Sequence, residues 1–354
     1  MSLSKEKAYE ALKDVIYFPK RESIIALGMV QNFKSDEKNI AFDIRFPNLN
    51  DPGIKMVIES CSSTLKKEFG NDIQVSVNPV AAEAEIQDAL AGVKHIIAVA
   101  SGKGGVGKST VAANLATALA KKGHKVALLD ADIYGPSVPI MFGLENERPL
   151  ATEVNGKTKV LPIEKHGLKL LSIGFFVDPE QALVWRGPMA SSALNQLFND
   201  AVWEDIDFMI LDLPPGTGDI HLTLSQSYYI TGAIVVTTPQ EVAIADVKKA
   251  VTMFSHEKTN IPILGVIENM SYFTPAELPD NKYYIFGKGR TEEFAQELKV
   301  PFLGKIPMVA GIAESGDSGN PIALSEEEPV TKAFEKLADG IVKQTRFLSN
   351  FKSN

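Results

Sequence analysis

Cysteine is almost absent: Cys61 is the single thiol among 354 residues. One thiol cannot close an intrachain disulfide or supply a Cys-x-x-Cys metal or redox pair. Long apolar runs are missing too. No stretch approaches the roughly 18–20 uninterrupted apolar residues that a membrane-spanning helix needs. The start, Met1-Ser2-Leu3-Ser4-Lys5-Glu6-Lys7, runs straight into charge without an apolar signal core, so the expected location is the cytoplasm. Basic surplus is lacking as well. Lys and Arg number 36 against 44 Asp and Glu, a net charge of −8 that argues against a nucleic-acid footprint. The five histidines show no metal-ligand spacing and read as structural or surface residues. Apolar residues at 45% and charged ones at 23% remain, the mix of a globular protein with a substantial core.

Residues 1–88 read as a small α+β domain. Ala8, Leu12, Val15 and Ile16 recur at helical spacing, and Ser23 to Val30 is an apolar, strand-like run. Ile40, Phe42, Ile44 and Phe46 alternate with more polar neighbours as in a half-buried strand. Ile54, Val57, Ile58, Cys61, Leu65 and Phe69 form a helical stripe that stops at Gly70. Ile73, Val75 and Val77 alternate again before Pro79, and residues 80–85 read as a linker. Residues 89–354 change pattern. The runs Ile96–Ala100, Val126–Asp130, Phe208–Asp212, Ala233–Thr238 and Ile263–Ile267 are nearly all apolar and alternate with helical segments. Strands covered on both faces look like this, which predicts an α/β, doubly wound, mostly parallel sheet.

The first of these strands leads into Gly102-Lys103-Gly104-Gly105-Val106-Gly107-Lys108-Ser109-Thr110, and a helix through Lys121 follows. Every fixed position of a phosphate loop is matched in the required strand–helix context. Its glycines let backbone N–H groups turn inward around phosphate oxygens at a helix N-terminus. Lys108 is placed for the β- and γ-phosphates of ATP, and the Ser109 hydroxyl for Mg2+. Two further strands end in carboxylates, at Asp130-Ala131-Asp132 and at Asp212-Leu213-Pro214-Pro215-Gly216, where doubly wound sheets place ligands.

Lys103, directly after the first glycine, resembles the signature of deviant Walker A ATPases, the class of plasmid-partitioning, septum-positioning and nitrogenase-reductase enzymes. The resemblance implies that Lys103 reaches the partner's phosphates across a nucleotide-sandwich homodimer. It also implies that Asp132 lies near the attacking water, that Asp212 holds the Mg2+ shell, that the Gly216 N–H senses the γ-phosphate, and that Asn269 reads adenine. Longer strings narrow the likeness: Ser101–Thr110, Asp130–Ser137, Trp185-Arg186-Gly187-Pro188-Met189, Asp212–Asp219 and Glu268-Asn269-Met270-Ser271-Tyr272-Phe273. Across residues 90–345 the chain resembles the Mrp-type iron–sulfur cluster carriers. The first domain resembles the small unit that often precedes these ATPases, although the usual Asp-Pro-Glu turn is replaced by Phe18-Pro19-Lys20-Arg21-Glu22.

One departure bears on mechanism. Mrp-type carriers place a Cys-x-x-Cys between Ser-Tyr-Phe and Phe-Gly, whereas residues 274–285 here contain no cysteine. Two copies of the chain offer only two Cys61 thiols, too few for a bridging four-thiolate cluster. Cys61 is either a small core hydrophobe on its helical stripe or a ligand for a transient cluster. The expected function is an ATPase that delivers clusters to apo client or scaffold proteins. The alternative is a metal-free ATPase switch that positions a partner. No nucleic acid or membrane is expected as a partner; the basic, aromatic tail Arg346–Lys352 is short, and the stripe before it reads as core.

Overall fold

The computed structural model describes residues 4–18, 22–36, 38–46, 53–81, 90–154, 156–177, 187–256, 259–275, 277–278, 280–326 and 329–352. Its contacts divide the chain into two compact units, Met1–Glu85 and Ile86–Asn354.

In the first unit, α1 (Lys5–Leu12) is followed by a short pair, β1 (Ile16–Tyr17) and β2 (Glu22–Ser23). Then come β3 (Val30–Ser35), β4 (Asn39–Phe46), α2 (Ile54–Phe69) and β5 (Gln74–Ala81). β4 is central, antiparallel to β3 and parallel to β5. Its side chains alternate as expected, with Ile40, Phe42, Ile44 and Phe46 buried against Val57, Cys61 and Leu65 of α2. Helix α2 ends at Gly70, whose φ of 102° suits glycine.

Two expectations are corrected here. Ser23–Val30 is not one strand: between Ser23, which ends β2, and Val30, which begins β3, it turns through Ile24–Gly28, with the Ala26 N–H donated to Ser23 Oγ at 3.1 Å and Gly28 at a φ of 62°. Its apolar residues Ile24 and Met29 still enter the core, so burial produced the apolar run without a ladder. β5 does not stop at Pro79 but runs on to Ala81, which puts Val80 and Ala81 in the sheet and not in a linker. Proline is tolerated there because β5 is an edge strand.

The second unit holds β6 (Val93–Ala100), α3 (Lys108–Lys121), β7 (Val126–Asp130), α4 (Val138–Met141), β8 (Leu150–Val154), β9 (Lys157–Leu161), β10 (Ile163–Lys165) and β11 (Leu168–Ser172). It continues with α5 (Gly187–Asn199), β12 (Ile206–Asp212), α6 (Asp219–Ser227), β13 (Gly232–Thr237), α7 (Glu241–Ser255), β14 (Ile263–Glu268), α8 (Thr291–Glu297), β15 (Phe302–Lys305), α9 (Ala310–Asp317) and α10 (Pro329–Lys352). Eight strands form one sheet in the order β10-β11-β7-β12-β6-β13-β14-β15. Only the β10–β11 pairing is antiparallel. β7 and β13 are buried at every position, because helices cover both faces. Val330, Phe334, Leu337 and Ile341 of α10 pack into this core, so the helix before the tail is structural. Among the described residues no helix is long and apolar enough to cross a membrane.

Candidate active site

β6 delivers the chain to the centre of the sheet, and α3 leaves from it at Lys108. The intervening loop depends on left-handed backbone at Gly105 (φ 80°) and Gly107 (φ 78°), where side chains introduce strain. Gly107 is also the N-cap of α3 and adds no capping side chain, so the first N–H groups of the helix are left to a ligand. A Cβ on Gly102 would lie 2.5 Å from Asp246 of α7, which shows how closely the loop rests on that helix. Ser101 Oγ is donated to the Lys103 carbonyl at 2.8 Å and steadies the first turn. Val106 is buried, while Gly104 and Gly105 face open space.

Sheet register gathers the carboxylates. Asp212 of β12 is paired with Asp130 of β7, and Asp130 in turn with Ser172 of β11, so three neighbouring strands end in polar residues side by side. Lys108 Nζ reaches across to Asp212 Oδ1 at 2.5 Å, lies 3.4 Å from Asp132 Oδ2 and donates to Ser109 Oγ at 3.2 Å. Lys108, Asp132 and Asp212 are all buried. One oxygen of each carboxylate, Asp132 Oδ1 and Asp212 Oδ2, is buried without a hydrogen-bond partner among the described residues. Orphaned acceptors beside a lysine and a serine hydroxyl fit a hydrated cation and a phosphate.

Asp130 plays a different part. Its Oδ1 accepts the Asp132 N–H at 3.1 Å, and its Oδ2 accepts the Val138 N–H at 3.2 Å and the Ser172 hydroxyl at 3.0 Å. It therefore shapes the turn that carries Asp132. Burial, then the Asp212 charge, push its carboxyl up to about 7, against the pull of the Val138 N–H, Lys108 and Ser172. Burial also raises Asp212, opposed by Lys108 and Ser109.

Three expected residues are engaged within the chain itself. The Gly216 N–H is donated to the Ser101 carbonyl at 2.9 Å, so contact with a γ-phosphate requires that bond to be exchanged. Lys103 Nζ extends to Gln240 Oε1, 3.4 Å away, and not into its own loop. Asn269 Nδ2 is donated to the Val106 carbonyl at 2.9 Å, and a Cβ on Gly107 would meet it at 2.3 Å. The amide expected on adenine thus sits on the loop's own backbone. Thr110 is half-buried just before the buried run of α3 that starts at Val111, and its carbonyl accepts from Asn114 Nδ2 at 2.9 Å. Trp185 and Arg186 lie outside the described residues, as does the side chain of Asp219.

Of the two readings of Cys61, its surroundings favour the core hydrophobe. It is 0% exposed in the core of the first unit, and burial pushes its thiol up to about 12. A thiol so placed packs as a small hydrophobe and is inert toward reagents while the core stays closed. The interval that lacks cysteines is built around an antiparallel bridge, with Phe273 and Tyr283 exchanging N–H···O bonds of 2.8 Å. Leu278, Tyr283 and Ile285 are exposed there, and Lys282 Nζ lies 4.4 Å from the centre of the Tyr272 ring.

Sequence reasoning missed Ser172, the buried carboxylate of Glu268 and the placement of His221. Glu268 accepts 2.5 Å bonds from Ser271 and Thr291 and pins both ends of the 272–290 excursion. His221 was readable only as a neighbour of the Asp212–Asp219 string.

Comparison with known proteins agrees with this geometry. The family model described as NUBPL iron-transfer P-loop NTPase, of the ParA group, matches residues 92–342. An iron-sulfur cluster carrier protein of Synechocystis is 40% identical over 329 residues, 92% of each chain. The Aquifex aeolicus protein of that name is 56% identical over 250 residues, 70% of this chain and 67% of its own. Among solved structures, a nucleotide-binding protein from Archaeoglobus fulgidus in complex with ADP superposes with a TM-score of 0.60 at 36% identity, covering 69% of this chain and 94% of that one. With the phosphate loop, its buried lysine and the strand-end carboxylates in place, the chain belongs to the iron-transfer P-loop NTPase family.

Proposed function

We propose that the protein hydrolyses ATP in a nucleotide-sandwich dimer and delivers iron–sulfur clusters to apo client proteins. The end-to-end likeness to proteins named iron-sulfur cluster carriers supports this most strongly. Lys108 leaves Asp212 for the β- and γ-phosphates as nucleotide enters, which frees the Asp212 carboxylate. Ser109 Oγ and Asp212 would hold Mg2+, which would supply neutralising charge to the phosphates. Asp132 orients the water, whose oxygen bonds to the γ-phosphorus as the bond to the ADP oxygen breaks; its proton leaves to phosphate or solvent. The Gly216 N–H exchanges Ser101 for the γ-phosphate. Lys103, directed away from its own loop, serves the partner's nucleotide. Asn269 supports the loop wall through Val106 and carries adenine recognition on its remaining oxygen.

Because Cys61 is buried, the cluster is held by thiols from outside the chain: a client, a scaffold or a small thiol. Anaerobic reconstitution with iron and sulfide, with and without an added small thiol, tests this. Visible cluster absorption and transfer to an apoprotein are expected, equally in parent and Cys61→Ser protein. No bound iron and no transfer, with or without ATP, would sink the carrier reading.

The aromatic build of residues 272–285 favours a second reading, a metal-free switch that positions a partner. Pull-downs with ATP and with ADP separate the two readings. Partners free of iron–sulfur chemistry would support the switch.

A further inference from the structure

We propose that His221 is a positioning residue for ATP turnover: its ring Nδ1–H clamps the Gly218 carbonyl and so holds the Pro214–Gly218 loop that presents Gly216. The proposal rests on the reading of Gly216 as the γ-phosphate sensor.

His221 is the third residue of α6 and only 2% exposed. Its Nδ1 lies 3.3 Å from the Gly218 oxygen. A carbonyl only accepts, so Nδ1 carries the proton and Nε2 keeps its lone pair. That lone pair is buried without a hydrogen-bond partner among the described residues, which a phenyl ring of similar shape would avoid. Packing alone therefore does not explain a histidine at this position; the Nδ1 donor does. The Gly218 oxygen also accepts the backbone N–H of His221 at 3.2 Å, so one residue grips one carbonyl twice. The junction needs this grip, since its N-cap is a glycine with no side-chain cap.

The ring stands edge-on to Phe254 of α7, with centroids 5.9 Å apart and planes at 67°. Helix α7 also carries Asp246, against which Gly102 packs. One helix thus underlies both the phosphate loop and the histidine clamp. The near end of the switch loop is tied by the Leu213 N–H, donated to the Val99 carbonyl at 3.1 Å, and the far end by His221. When Gly216 exchanges Ser101 for phosphate, movement is confined to the few residues between the two ties. Burial lowers the His221 pKa, against the pull of the Gly218 and Pro214 carbonyls, and so favours the neutral ring. The phosphate loop itself binds nucleotide without the clamp, so losing the clamp acts on turnover and spares affinity.

The test uses two substitutions in the full chain. His221→Phe keeps the packing on Phe254 and removes the donor; His221→Asn places an amide N–H near the Nδ1 position. Expected for His221→Phe is a kcat about tenfold lower, the rate equivalent of one lost hydrogen bond. Its KM for ATP and Kd for ADP should stay within about twofold. His221→Asn should recover kcat to within about threefold of the parent. Parental turnover in His221→Phe overturns the proposal. So does a parallel loss of kcat and ADP affinity that His221→Asn fails to restore. Gly216→Ala separates the underlying reading: parental turnover there removes the sensor role, whereas impaired Gly216→Ala beside parental His221→Phe removes only the clamp.

Discussion

Lys108 Nζ sits 2.5 Å from Asp212 Oδ1, with both side chains buried at the end of the central strands. The same lysine is the residue a phosphate loop directs at nucleotide, and the same carboxylate is the one it reserves for Mg2+. Here each neutralises the other's buried charge. On the proposed reading, nucleotide entry exchanges this buried charge pairing for pairings with phosphate and Mg2+.

Lys108→Ala should abolish turnover, lowering kcat by at least about a hundredfold. It should also lower unfolding stability by roughly 3 kcal/mol, because Asp212 and Asp132 are left buried without their cation. Adding Asp212→Asn should return part of that stability and none of the activity. Urea melts of the single and double variants check the first point, and phosphate release checks the second.

Lys103→Ala should bind ADP within about threefold of the parent, since the side chain points to Gln240 and away from its own loop. Its turnover should fall to the dimer-independent level. Specific activity measured against protein concentration shows this as a flat line where the parent rises. A Lys103→Ala enzyme as active as the parent rules out the cross-subunit role.

Gly107→Ala combines a positive φ of 78° with a contact at 2.3 Å from Asn269 Nδ2. Adding Asn269→Ala relieves the contact but not the backbone strain, which costs about 1–3 kcal/mol. Calorimetry should therefore find ADP affinity reduced in Gly107→Ala and only partly restored in the double variant.

Asp130 supplies a pH dependence. Its carboxyl is raised in the folded chain to about 7 from 3.8, so between those values the folded state holds a proton that the unfolded state has released. Stability from this group is complete below pH ~4 and is lost as pH rises toward ~7. Thermal melts across that window should show the parent losing stability relative to Asp130→Asn as pH rises. Constant spacing between the two curves would contradict a proton on Asp130.

Cys61 should resist a thiol reagent at pH 8 in the folded chain and react promptly in denaturant, since burial holds its thiol up at about 12. Ellman's reagent with and without guanidinium is sufficient. Cys61→Ala should cost about 1 kcal/mol of stability and leave ATP turnover unchanged.

Much of this was legible from local pattern. The glycine loop needs short-range backbone geometry at fixed spacing, so its position and its two lysines could be read directly. The strand at Val126–Asp130 stands at the expected residues, and those at Ile96–Ala100 and Phe208–Asp212 extend only at their N-terminal ends, because buried parallel strands leave an unmistakable apolar run. The stripe carrying Cys61 in turn pointed to the core. Run composition failed at Ser23–Val30, where Gly28 and Ser23 shape a turn from apolar residues. It failed again at Pro79, where edge position decides tolerance.

The sequence by itself determined the phosphate loop, the alternating α/β order and the lack of a cysteine pair, each a matter of residue identity at short spacing. Only the tertiary structure decided which polar groups meet. Strand register set Ser172, Asp130 and Asp212 in one row, and the loop's approach to α7 and β14 brought in Asp246 and Asn269. Packing of α6 on α7 buried His221 with its Nδ1 on Gly218. These pairings join residues far apart in the chain or depend on one element docking on another, and no local period encodes such contacts.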